Sequence, residues 1–302
     1  MSGFKIACRT LAFMSCIALS SGLATAETMK DVFPSYRDWV DASIADRFGN
    51  LELLHGTQVM VEGKYDLALG DRYYALRDAD AQWVFTELWM NLADPNLKAL
   101  IFQSSTTPLD NAWAVAVTAY EDGHISDEEA DTMDFGAIIE ARKASDPEAN
   151  KQRQAQGLPQ LFTVGLTGTP GYDRTTRSLK FSVLLKQDGY DGEFLNANAW
   201  VLSRHGYVNL NVLGDPAQAA QIDAKLPELI GLVQLAEGNG YADYAPGVDA
   251  VAEGGLSALL GGGAGQVGIV IVLLALLKKF GVLIAVPVIW LVNRLRGKRP
   301  VA

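Results

Sequence analysis

Cysteine is nearly missing from this 302-residue chain: Cys8 and Cys16, both near the N-terminus, are the only two. The remainder can hold no disulfide, no thiol nucleophile and no thiolate metal site. Histidine is almost as scarce. His55, His124 and His205 are the only three, and none has a second histidine or a cysteine at metal-ligand spacing, so each reads as a turn or surface residue. The chain also lacks a G-x-S-x-G elbow, a phosphate-binding loop, an H-E-x-x-H helix and a dinucleotide fingerprint. No metal, cofactor or catalytic residue is expected from these patterns. Basic residues are short over most of the length. Of 25 lysines and arginines, two precede residue 27 and six follow residue 277, which leaves 17 against all 35 acids over 27–255, a net charge of −18. Such a surface repels nucleic-acid phosphates and anionic headgroups and favours cations, basic partners or neutral ligands.

What the chain does have is an address. Lys5 and Arg9, an apolar stretch over 11–19, and Ala24-Thr25-Ala26 before Glu27 have the layout of a cleaved secretory signal, residues 1–26. Near the other end, 256–293 contains no acid and only two charges, Lys278 and Lys279. Its first part, 256–277, is 22 residues without a charge, and a bilayer crossing needs about 20. The second apolar part, 280–292, is too short to cross alone and contains Pro287, so it is expected to lie in the interface or re-enter it. A single tilted helix with both lysines at depth is disfavoured, at about 2.5–3.5 kcal/mol per lysine. The tail 294–302 carries Arg294, Arg296, Lys298 and Arg299 and marks the cytoplasmic side. Gly261, Gly265 and Gly268 offer small faces for close helix packing in the membrane. The expected topology is a main domain, 27–255, outside the bacterial cytoplasmic membrane, tethered by one C-terminal span.

Within that domain, Trp39, Val40, Ile44 and Phe48 predict a helical stretch over 27–55. A meander of short strands follows at 58–62, 67–69 and 72–76. Asp78 or Asp80 is placed to cap a helix over 83–91 that buries Trp83, Leu88 and Trp89. Strands are expected at 98–103 and 112–120. Helices are expected at 135–144 and, past Asp146 and Pro147, at 148–156. Strands at 161–166, 178–186, 193–204 and 207–212 come next, with turns at 169–173 and 188–192. The last predicted element is an amphipathic helix over 216–233, capped by Asp215, with Pro227 placed to kink or end it. Two groups of strands with accompanying helices define an α+β class with antiparallel sheet. A subdivision near 157 remains open.

The acidic segment YEDGHISDEEADTMD, residues 120–134, invites comparison with a calcium loop. Asp122, Gly123, Ile125 and Glu129 match the second half of an EF-hand, but Thr118 and Tyr120 stand where the early carboxylates belong, and a hard cation needs six or more oxygens. A turn at 121–123 and a capping box from Ser126 to Glu129, opening a helix, fit better. Tyr241, Asp243, Tyr244 and Asp249, just before the apolar run, are candidate partner-binding residues, since tyrosine suits wet–apolar boundaries. The alternative is that both tyrosines seat the domain at the headgroups.

These motifs in this order resemble a bacterial family of membrane-anchored proteins grouped as domain-of-unknown-function family 2167. The matching stretches are AVAVTAYEDGHISDEEAD, GLPQLFTVG, GYDRTTRSLKFSVLL, NVLGDP and YADYAPGVDAVAEGGLSALLGGGAG, followed by the apolar pair split by KKF. The resemblance implies an exported, anchored protein and supplies no reaction. The strand and helix order over 161–233 also resembles the small α+β sandwich of PsbP and Mog1 type. The expected function is a tethered binding, scaffold or envelope-maintenance module whose partner is another protein or a second copy. One rival is a membrane oligomer acting as a channel or transport accessory through Lys278 and Lys279. The other is an envelope hydrolase using Asp122, Asp127 or Glu129.

Overall fold

The computed structural model describes residues 27–260. The expected signal, the apolar run beyond 260 and the basic tail, with Gly261, Gly265, Gly268, Lys278 and Lys279, lie outside the described residues. Among the described residues, no helix is long and apolar enough to cross a membrane.

The N-terminal stretch is not the continuous helix its periodicity predicts. β1 (Glu27–Thr28), α1 (Met29–Val32), a 3-10 turn (Pro34–Asp38), α2 (Ala45–Gly49) and β2 (Glu52–Leu53) follow one another in short pieces, with β1 paired to β2. Pro34 has no N–H to continue the ladder from α1. The apolar positions are nonetheless used: Val40 and Phe48 are buried, and Trp39, which stays 43% exposed, lays its edge on Phe48.

β3 (Thr57–Val61) and β4 (Tyr65–Ala68) form a hairpin, while β5 (Tyr73–Arg77) leaves the predicted meander for another sheet. α3 (Asp78–Trp83) runs into a π turn (Val84–Leu88). Neither predicted cap acts as one. Arg77 occupies the cap position, and Asp80 instead accepts from the Glu52 amide at 2.8 Å. β6 (Leu97–Gln103) and β7 (Ala114–Tyr120) follow, then α4 (Phe135–Ala155) and the strands β8 (Leu161–Asp173), β9 (Ser178–Gln187), β10 (Glu193–Ser203) and β11 (Gly206–Gly214). The turn expected at 169–173 is part of β8, which carries bulges instead; the chain reverses over 174–177. α5 (Ala219–Ile230), β12 (Val233–Leu235) and α6 (Leu256–Leu260) complete the order.

Seven strands pair antiparallel in the order β5-β6-β7-β11-β10-β9-β8, and β12-β4-β3 form a separate three-stranded sheet. The large sheet runs straight through the possible subdivision near 157, because β7 and β11 pair from Tyr120–Tyr207 to Ala114–Leu213. The class is therefore an antiparallel, β-rich α+β fold. From β5 to β10 both faces of the sheet are covered. Tyr74, Leu76, Ala114 and Ala116 point to a core shared with the N-terminal pieces, Trp89 and Ile138. Their neighbours Tyr73, Ala75, Val115 and Val117 point to a second core under α5 and the small sheet. This explains why β5 and β7 read as near-continuous apolar runs, since each successive side chain finds a buried face.

α4 joins both predicted helices across Pro147 into a single 21-residue helix. Beyond Ile138 and Ile139 its inner stripe is polar. Asp146 accepts from the Thr163 amide at 2.6 Å and from its hydroxyl at 3.0 Å, and Asn150 exchanges two hydrogen bonds with the Leu161 backbone. These side chains take the place of a neighbouring strand along the start of β8, the sheet's outer edge.

Candidate functional site at the entry to the apolar run

The acidic segment and the residues before the apolar run, more than a hundred positions apart in sequence, lie against each other. Gly123 makes this possible. Its φ is +99°, and a Cβ there would stand 2.9 Å from Ala252 N and Val251 C, so only glycine lets the two backbones meet. His124 then donates its amide to Ala250 O at 2.8 Å and accepts from Ala252 N at 2.9 Å, a short parallel bridge. Its imidazole stacks on Tyr244 at 3.8 Å between ring centres, with Tyr241 on another side at 4.5 Å. Burial pulls the pKa of His124 down, against the opposing pull of a hydrogen bond to the Arg204 backbone and of the Asp127 and Asp249 charges.

Asp127 is the hub on the other side. Tyr172 donates to its Oδ2 at 2.8 Å, Arg177 pairs with the same oxygen, and Tyr241 OH accepts from its amide while donating to Ile125 O. Burial alone would raise the Asp127 carboxyl, but hydrogen bonds from Tyr172 and Arg177 bring it below the usual range. Tyr241 is pushed up to about 12, chiefly by burial, and the Arg177 guanidinium lies 4.9 Å over its ring.

Asp249 makes a two-pronged pair with Arg204, at 2.8 and 2.9 Å, and also accepts from the Ala245 amide. The Arg204 bond holds its carboxyl at about 2. Asp243 closes the 3-10 turn Tyr241–Asp243 by accepting from Gly240 N. Glu129 reaches the apolar run itself: its Oε1 accepts from Ser257 N at 2.8 Å, in the first turn of α6. That use of Glu129 corrects the capping box expected from Ser126. Ser126 accepts from Glu128 N, and the next helix starts at Phe135, capped by Asp134, which accepts from Ala137 N. Gly255 permits the Glu129 contact, since a Cβ there would meet Glu129 Oε1 at 2.3 Å. Leu256 and Leu260 are buried in the core that includes Ile138 and Ile139.

The four tyrosine and aspartate candidates before the apolar run therefore sit together, with Asp127 and Glu129 among them, in one clasp. Among the described residues, no group of three His, Cys, Asp or Glu side chains could hold a metal ion. Sequence reasoning passed over Tyr172, Arg177 and Arg204. The readable signal for Arg177 was the turn 174–177, which holds two arginines just before the alternating strand β9.

A seven-stranded antiparallel sheet that clasps the entry to a C-terminal apolar run defines the class. The chain belongs to the family described as protein of unknown function (DUF2167), which matches residues 54–289. No curated protein matches it. Among solved structures, the solution structure of cyanobacterial PsbP (CyanoP) from Synechocystis sp. PCC 6803 is similar at 8% identity and a TM-score of 0.35, covering 59% of this chain and 89% of that one.

Proposed function

We propose that this protein is a tethered scaffold on the outer side of the bacterial cytoplasmic membrane, working by binding a protein partner or a second copy. In this reading residues 1–26 direct export, 256–277 cross the bilayer and the basic tail stays inside. One observation supports it most: the clasp ties the residues leading into the apolar run to the domain, through Glu129–Ser257, Asp249–Arg204 and buried Leu256 and Leu260. A disposable linker would need no such seating. Two of the three carboxylates of the hydrolase alternative are engaged in that seating: Asp127 by tyrosine and arginine, Glu129 by a backbone amide.

The chain tests its own topology conveniently, because it has no cysteine beyond residue 16. Val248→Cys, at a position 80% exposed, should react with a membrane-impermeant maleimide in intact spheroplasts. Val301→Cys should react only after permeabilisation. The reverse pattern, or release of the protein by alkaline carbonate, sinks the tether. For the binding claim, crosslinking of the full chain is compared with a chain ending at Leu260. The same partner or self-crosslink in both places recognition in the domain; its loss with the shorter chain moves it to the membrane segment.

A further inference from the structure

A polar stripe crosses the middle of the large sheet, on the face toward α4 and the π turn. Asn196 and Asn198 on β10 share a face with Phe194, Trp200 and Leu202; Asn209 and Asn211 on β11 share it with Tyr207 and Leu213. Register makes the stripe continuous: Asn198 faces Asn211, and Asn209 faces Thr118 on β7. Asn196, Asn198, Asn211 and Thr118 are 2%, 6%, 2% and 1% exposed. Yet both polar atoms of Asn196, the Oδ1 atoms of Asn209 and Asn211, and the indole nitrogen of Trp200 are buried without a hydrogen-bond partner. Beside Asn211 and Leu213, β7 presents the small side chains of Ala116 and Ala114.

Buried amides almost always find partners. Four asparagines in register, with several atoms left over, therefore mark a place where something else completes the bonding. Their chemistry indicates what. The lining amides, hydroxyl and indole are uncharged and mix donors with acceptors. Two charged residues in the surrounding elements also keep an unpartnered buried atom, Arg142 on α4 and Asp94 before β6; being opposite in sign, they leave no net charge for an ion to read. Asn196 pairs with Leu213, four residues from Asn209, so the stripe is about 14 Å long, the length of one to two sugar rings.

We propose that this stripe lines a binding site for a small, neutral, hydroxyl-rich molecule. The inference stands independently of the membrane tether. The test uses the full chain in a non-glycosidic detergent, with D-glucose, N-acetyl-D-glucosamine and maltose as probes and sodium acetate as the charged control. At least one neutral probe is expected to bind saturably by calorimetry and raise Tm, and acetate to do neither. Asn196→Leu with Asn211→Leu should weaken that probe about a hundredfold, at about tenfold per lost contact. Without probe, the double variant should melt no lower than the parent, because apolar groups of similar shape relieve unmet amides. Asn211→Ser, which adds no bulk, should weaken binding about tenfold and serves if the double variant does not fold. Absence of binding by all three sugars overturns the ligand class. A double variant that folds but melts lower without probe, while binding as well as the parent, makes the stripe structural and overturns the site.

Discussion

Gly123→Ala should open the clasp while leaving the sheet intact. An alanine at φ +99° costs about 1–2 kcal/mol in backbone strain. Its Cβ would also lie 2.9 Å from two backbone atoms and 3.0 Å from a third, all in the 250–252 strip, so the strip must move. Moving it removes the His124–Ala250 and Ala252–His124 hydrogen bonds, about 0.5–1.5 kcal/mol each. The sum is about 2–5 kcal/mol. Even its lower end raises the open population about thirtyfold. Amide hydrogen exchange on the full chain reads this directly. The amides of His124, Ala252 and Ser257 should exchange at least about thirtyfold faster, while those of β10 and β11 keep their protection. Unchanged exchange at Ala252 would refute the steric argument, and equal loss across β10 and β11 would show that the clasp and the sheet are one cooperative unit.

Three other outcomes follow from the structure. Asp249 has its pKa depressed from 3.8 to about 2 by Arg204, so its contribution is fully present above pH 3.8 and is lost as pH falls through about 2; proteolysis of the 240–257 strip should rise over that window, and Asp249→Asn should flatten the rise. Asp146→Ala leaves the buried amide and hydroxyl of Thr163 without an acceptor, a loss of about 2–4 kcal/mol measurable by urea denaturation; a loss below about 0.5 kcal/mol would mean that another group covers the β8 edge. Gly206→Ala would set a Cβ 2.0 Å from the Tyr120 carbonyl oxygen, so the β7–β11 seam should fail and the chain should appear in the insoluble fraction, whereas a soluble variant with parental circular dichroism would disprove the crowding.

Elements that bury one side chain at a time were legible. The alternation of β9 and the Asp215 cap with the apolar stripe of α5 lie close to where periodicity places them, because local pattern and tertiary burial agree there. Pro227 sits inside α5, yet the helix ends three residues later, at Ile230, with Gly231 bonding back to Pro227 O. Where polar groups do the packing, the pattern misleads. The Asp146 and Asn150 stripe of α4 looks solvated in sequence and is in fact bonded to a strand edge. The site was half legible: Tyr241, Asp243, Tyr244 and Asp249 stand where their composition drew attention. Their partners, Arg177, Arg204 and Gly123, are distant in sequence, and only a fold brings such residues together.

The seam between β7 and β11 also governs timing. β5, β6 and β7 are made early, yet the inner flank of β7 has no neighbour until β11 arrives, some ninety residues later. β9, β10 and β11 can assemble as consecutive hairpins as soon as they are available, since their pairings are local. Closure of the seam then joins an early half and a late half in one step. A chain emerging N-terminus first would carry an open, apolar strand edge while those ninety or so residues are made, and the order of completion is written into the strand order itself.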